Sequence, residues 1–68
     1  MKNTLKVERA KKDMTQQDLA EAVGVSRQTI NSIESQKYTP STVLSLKIAR
    51  VFETTVDAIF ELEDDDFL

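Results

Sequence analysis

The stretch GVSRQTINSIE, residues 24–34, decides the fold. It supplies a glycine, a hydroxyl residue two places later, and then a run whose polar and aliphatic positions follow helical rather than strand spacing. Gly24 suits the left-handed backbone that ends one helix, and Ser26 is a natural N-cap for the next. Ile30 and Ile33 point inward from that second helix, and Val25 packs just before its start. At about 100° per residue, Gln28, Asn31, Ser32 and Ser35 point away from the two isoleucines, with Arg27 and Thr29 flanking them. These outward side chains are forked, or short and hydrogen-bonding, where a helix built only for solubility would carry Glu and Lys.

Upstream, MTQQDLAEAV (14–23) carries its own start signal. Thr15 stands at the N-cap, and Asp18 completes a capping box in which Asp replaces Glu or Gln. Leu19, Ala20 and Val23 then form a buried stripe. Before it, LKVERAKK (5–12) favours helix by propensity, with Leu5, Arg9 and Lys12 on one face and Val7 and Ala10 beside it. Downstream of SQKYTP (35–40), Ser41 caps a helix whose Val43, Leu44, Ile48, Val51 and Phe52 place it at the centre of the core. Thr55 caps a last short helix with Val56, Ile59 and Phe60. The end, ELEDDDFL (61–68), is either frayed or a short strand.

The fold class is therefore all-α, a compact bundle of five helices roughly 7–12 residues long. Only Gly24, Val25 and the Ser26 cap join the second helix to the third. So short a joint forces a sharp angle, which is helix-turn-helix geometry and projects the third helix with its polar side outward. Residues 1–62 form the domain, and residues 63–68 a solvated, disordered acidic tail.

Composition removes several classes of function. The 68 residues include no His and no Cys, which excludes the usual general base near neutral pH, the thiol nucleophile and the common zinc ligands. A lone glycine makes no phosphate-cradling loop, and the EDDD cluster (63–66) lacks the spacing of a calcium loop. The reading is a non-enzyme without metal or cofactor. No apolar run is long enough to span a membrane, and the first residues have no apolar signal core, so the expected location is the cytoplasm. The net charge of −3 is unevenly spread: residues 1–60 hold nine bases against seven acids, and five acids lie in the last eight residues. The body is mildly basic, which suits an anionic partner.

Together TQQDLAEAVGVSRQTINSIESQKYTPS (15–41), LKIARVF (46–52) and VDAIF (56–60) resemble the Cro/C1 (XRE-type) transcriptional regulators, in particular the short stand-alone members. The resemblance covers roughly residues 4–62 and implies a lambda-repressor-like DNA-binding domain. Relatives often carry glycine before the second helix and in the loop after the third, where this chain has Asp13 and Gln36. The partner implied is double-stranded DNA, with the third helix in the major groove. Arg27, Gln28, Asn31 and Ser32 are the base-contacting candidates, since Arg matches guanine O6/N7 and Gln matches adenine N6/N7.

Gln16, Gln17, Ser26, Thr29, Ser35, Lys37, Tyr38 and Thr39 are the candidates for holding the phosphate backbone, and Gln16 also for bracing Arg27. The resemblance further implies an ion pair between Arg9 and Glu34. One short helix buries too little surface for strong specific binding, so a homodimer on a palindromic operator is expected, with repression as its outcome. Surplus apolar residues Ile59, Phe60 and Leu62 are the expected subunit interface. The alternative is an antitoxin or protein-interaction module with a regulatory protein partner and only secondary DNA binding. The acidic tail with its terminal Phe67-Leu68 is the feature that favours it.

Overall fold

A computed structural model describes all of residues 1–68. The order is β1 (Lys2–Asn3), α1 (Leu5–Lys11), α2 (Gln16–Val23), α3 (Arg27–Glu34), α4 (Thr42–Val51), α5 (Val56–Ile59) and β2 (Phe60–Glu61), followed by a 3-10 turn over Asp64–Phe67. Four of the helices start on a hydroxyl side chain. Thr15, Ser26, Ser41 and Thr55 each accept a hydrogen bond from the backbone N–H three residues on, satisfying a donor the first turn leaves orphaned. At Thr15 the box closes in both directions, because the Asp18 carboxylate also accepts from the Thr15 backbone N–H at 2.9 Å. That hydrogen bond holds the Asp18 carboxyl below its ordinary pKa.

Twelve apolar side chains fill one core: Leu5 from α1, Leu19, Ala20 and Val23 from α2, Ile30 and Ile33 from α3, Leu44, Ile48 and Ala49 from α4, and Phe52, Ile59 and Phe60 beyond it. α2 packs against both α3 and α4, so the two helices of the sharp joint share one apolar floor. Gly24 makes that joint at φ 78°, a left-handed value that costs glycine nothing. Asp13, Gln36 and Glu53 take the same conformation, at φ 53°, 63° and 56°. Each follows the end of a helix, where a left-handed residue lets the backbone turn and meet the last carbonyls.

Several details differ from the sequence reading. Val43 is 63% exposed, and Ser45 is buried in its place, its hydroxyl donating to the Ser41 carbonyl at 2.9 Å. The buried arc of this helix runs through Leu44, Ser45, Ile48 and Ala49, and residue 43 falls outside it. Val7 and Ala10 are likewise exposed, and α1 contributes Leu5 alone to the buried core. α5 is one turn long and stops at Ile59, because Phe60 leaves the helix as strand.

That strand pairs antiparallel with β1, Lys2 opposite Glu61 and Asn3 opposite Phe60. Asn3 ties this two-stranded ribbon to the bundle. Its amide donates to the Ile33 carbonyl at 2.8 Å, near the end of α3, and its Oδ1 accepts from the Leu5 N–H at 3.3 Å. The acidic end is not a disordered tail. Glu63 and Asp66 cap the 3-10 turn, and their carboxylates lie 2.9 and 3.2 Å from the α-amino group of Met1. The hydrogen bonds that amine donates to Glu63 and then Asp66 raise its pKa.

Candidate nucleic-acid interface

The outer face of α3 presents Arg27, Gln28 and Asn31, all exposed, with Ser32 half-buried beside them. Arg27 and Gln28 stand on the first turn, and no acid pairs with Arg27. Ser26 and Thr29 are occupied differently. Their hydroxyls lie 3.0 Å apart and serve the N-cap, so one of the two hydroxyl hydrogens is spent between them and the other stays available. The Ser35 hydroxyl donates back to the Asn31 carbonyl at 2.9 Å, and Gln17 donates to Glu21 at 2.9 Å.

The loop after α3 folds back on it, with the N–H groups of Lys37 and Tyr38 both meeting the Ser32 carbonyl. This leaves the side chains of Lys37, Tyr38 and Thr39 exposed on the same edge. A groove beside α3 is lined by Gln28, Thr29, Ser32, Tyr38, Ser41 and Lys47, so the start of α4 flanks the face as well.

Beneath the face, Arg9 of α1 donates from Nε to Glu34 Oε2 at 2.6 Å and from Nη2 to Glu34 Oε1 at 3.0 Å. The same guanidinium donates to the Met14 carbonyl at 2.9 Å and so pins the approach to α2. Burial works to raise the Glu34 pKa, but the hydrogen bonds from Arg9 and Gln16 outweigh it and hold the group below its ordinary 4.5. The pair is largely sequestered and fixes where α3 ends relative to α1. Gln16 does not reach Arg27. Its Nε2 donates instead to Asn31 Oδ1 at 3.2 Å and Glu34 Oε1 at 3.1 Å, because α2 delivers it one turn further along α3. Both of its N–H bonds are spent there, so its remaining donor toward a phosphate is the free backbone N–H of the first turn.

Ile59 and Phe60 are 2% and 6% exposed within the single chain, which corrects their reading as surplus at a subunit interface. They close the lower end of the core, where α5 and β2 pack. Leu62 is 61% exposed.

The sequence reading passed over Lys47 and Ser41, although a signal for this side of the molecule was present. Between residues 22 and 52 the chain has one acid, Glu34, and four bases, Arg27, Lys37, Lys47 and Arg50. Glu34 is neutralised by Arg9, and none of those four bases has an ion-pair partner, whereas Lys2, Lys11 and Lys12 all do. The α3–α4 side is thus positive in a chain whose net charge is negative. Such a face attracts a polyanion whatever the sign of the whole.

A bundle of short helices that displays a polar, locally cationic helix across a three-residue joint defines the class of helix-turn-helix proteins. A family profile for helix-turn-helix proteins matches residues 5–59, and the chain belongs to the Cro/C1-type (XRE) helix-turn-helix family. It is 53% identical over 66 residues to an uncharacterised HTH-type transcriptional regulator of Methanocaldococcus jannaschii, covering 97% of this chain and all of that one. It is 42% identical over 66 residues to the uncharacterised HTH-type regulator YgzD of Bacillus subtilis, covering 97% and 100% of the two chains. Among solved structures it superposes on the clp gene regulator ClgR of Corynebacterium glutamicum with a TM-score of 0.73 and 28% identity, over 79% of this chain and 57% of that one. The SinR protein, solved in complex with SinI, matches with a TM-score of 0.76 and 25% identity, over 93% of this chain and 67% of that one. DNA-binding transcription regulation is the function these relatives support.

Proposed function

We propose that the chain is a sequence-specific repressor that binds a palindromic operator as a homodimer, with α3 of each copy in the major groove. The observation that carries this reading is the α3 face itself: Arg27, Gln28 and Asn31 exposed at the front of a cationic surface whose one acid is already paired. Arg27 and Gln28 stand earliest on α3, where a recognition helix meets base edges, and their forked heads suit guanine and adenine respectively. Lys37, Tyr38 and Thr39 at one edge and Lys47 at the other suit the flanking phosphates. Repression follows where the bound site overlaps a promoter and excludes the polymerase.

Two substitutions separate base reading from backbone holding. Arg27→Ala and Gln28→Ala each cost about 1–3 kcal/mol on the cognate site and relax the preference at one base position per half-site. Lys37→Ala weakens binding to all duplexes alike and lowers the slope of log affinity against log salt by about one. Competition titrations with single-base operator variants distinguish the two patterns. A uniform loss from Arg27→Ala as well would remove α3 from the reading role.

Support for the second copy comes from apolar surface that the single chain leaves open. The strand register puts Met1 opposite Leu62, and Met1 lines a shallow groove with Leu46, Val56 and Phe60. Leu46 is 58% exposed, so an apolar strip runs from Leu62 across the ribbon to α4. A two-fold contact along this strip would set the copies of α3 about 34–36 Å apart, one turn of B-DNA. Leu62→Glu leaves the helical circular dichroism unchanged but yields monomers by sedimentation and abolishes operator binding. A variant that remains dimeric and binds normally would move the interface elsewhere. A protein partner is the second reading. The SinR neighbour was solved with a protein bound, and the same apolar strip could seat such a partner in place of a second copy.

A further inference from the structure

The amide of Gln16 is held in one orientation by its neighbours, and that orientation passes on to α3. Arg9 can only donate, and the ionised Glu34 carboxylate can only accept. Glu34 takes hydrogen bonds from Arg9 at 2.6 and 3.0 Å and from Gln16 Nε2 at 3.1 Å. Because the carboxylate has no proton to give, Gln16 must turn its NH2 end inward. The second hydrogen on that nitrogen goes to Asn31 Oδ1 at 3.2 Å. Asn31 must therefore turn its oxygen toward α2, and its Nδ2 has no partner within the chain. Four side chains on three helices form a relay of fixed polarity that ends in a free N–H donor on the exposed face of α3.

We propose that Asn31 enters the major groove as a donor and selects a base edge made of acceptors, above all guanine with its N7 and O6. Gln16 and Glu34 are positioning residues that set this preference without touching a base. The proposal rests on the DNA-reading function above. An asparagine that pairs with adenine in the usual way donates to N7 and accepts from the N6 amino group through its oxygen. Here the oxygen end is drawn back to Gln16, so adenine's amino group meets no well-placed acceptor. Guanine offers two acceptors and makes no demand on the oxygen.

The test is selection of bound sequences from random duplex DNA with the full chain, its Asn31→Ala variant and its Gln16→Met variant. Met keeps the length of Gln and removes its amide, and circular dichroism reports whether either variant stays folded. The wild-type chain should show guanine preferred about tenfold over adenine at one position per half-site. Asn31→Ala should flatten that position to within about threefold and leave the others alone. Gln16→Met should admit adenine at that same position, because the freed Asn31 amide can turn over, while the positions set by Arg27 and Gln28 keep their preferences. If Gln16→Met lowers binding to all sequences equally without changing any preference, Gln16 is only structural and the proposal falls. It falls too if the wild type selects adenine at the Asn31-dependent position, or if Asn31→Ala changes no position. In those cases the remaining selected positions leave the DNA-reading function standing. A wild-type chain that selects no sequence at all defeats that function, and the proposal with it.

Discussion

Raising salt from about 50 to 200 mM should lower the affinity of the proposed dimer for the proposed operator roughly 10³–10⁵-fold, given about 6–10 phosphates engaged. The size of this effect follows from where the charges stand. Each copy brings Arg27, Lys37 and Lys47 on the α3–α4 side, none of them in an ion pair, and the one acid of that region is held by Arg9. Every phosphate neutralised by such a cation releases condensed counterions, and the entropy of that release shrinks as the bulk salt rises. The acids that give the chain its net charge of −3 lie largely beyond residue 52, on the α5, ribbon and tail segments. Fluorescence anisotropy with a labelled operator across a salt series measures the slope directly. A flat response would mean that this cationic side does not meet a phosphate backbone.

Ile48→Ala lowers the stability of the folded chain by about 2–5 kcal/mol, a large part of what so small a domain possesses. Ile48 is 0% exposed and sits midway along α4, among buried residues of the other helices. Truncation removes its transfer free energy and leaves a cavity that short, crossed helices cannot easily close. Urea unfolding followed by circular dichroism should show a lower midpoint at an unchanged slope. Val43→Ala is the matched control on the same helix. At 63% exposure it should change stability by no more than about 0.5 kcal/mol. Equal losses from the two would place Val43 in the core, as the sequence pattern had it.

That misplacement of Val43 illustrates which features were legible in the sequence. The hydroxyl caps at Thr15, Ser26, Ser41 and Thr55 stood out because a cap is a contact across three residues, written locally in the chain. The stripe of α2 and the two isoleucines of α3 were equally plain, since each helix has one apolar side. α4 is apolar on more than one side, so periodicity alone could not say which aliphatic residues face in.

A short strand was one reading of residues 61–68, and the strand lies at Phe60–Glu61; its partner Lys2–Asn3 left no trace, because two-residue strands are too short for an alternating pattern and their pairing joins residues nearly 60 positions apart. Phe60 fits the helical spacing from Val56 as well as it fits the strand. Asn3 reads as an ordinary polar residue until the fold brings the Ile33 carbonyl to it. In the candidate site, the outward direction of Arg27, Gln28 and Asn31 followed from helical spacing. The partner of Gln16 did not, because whether its amide meets Arg27 or Asn31 depends on how α2 crosses α3 and on the acceptor that Glu34 places between them.

The left-handed residues at the helix ends bear on the entropy of association. A chain with one glycine in 68 residues has to make its other tight turns from residues that resist them, here Asp13, Gln36 and Glu53. Each such turn costs about 1–2 kcal/mol of backbone strain, and that cost is met when the chain folds. In return, residues bearing a Cβ have fewer alternative conformations than glycine, so the joints before α2 and after α3 are stiffer than glycine joints would be. A duplex therefore meets a helix whose approach angle is already set. Little ordering remains to oppose binding, and the free energy of the contacts is left to discriminate between one sequence and another.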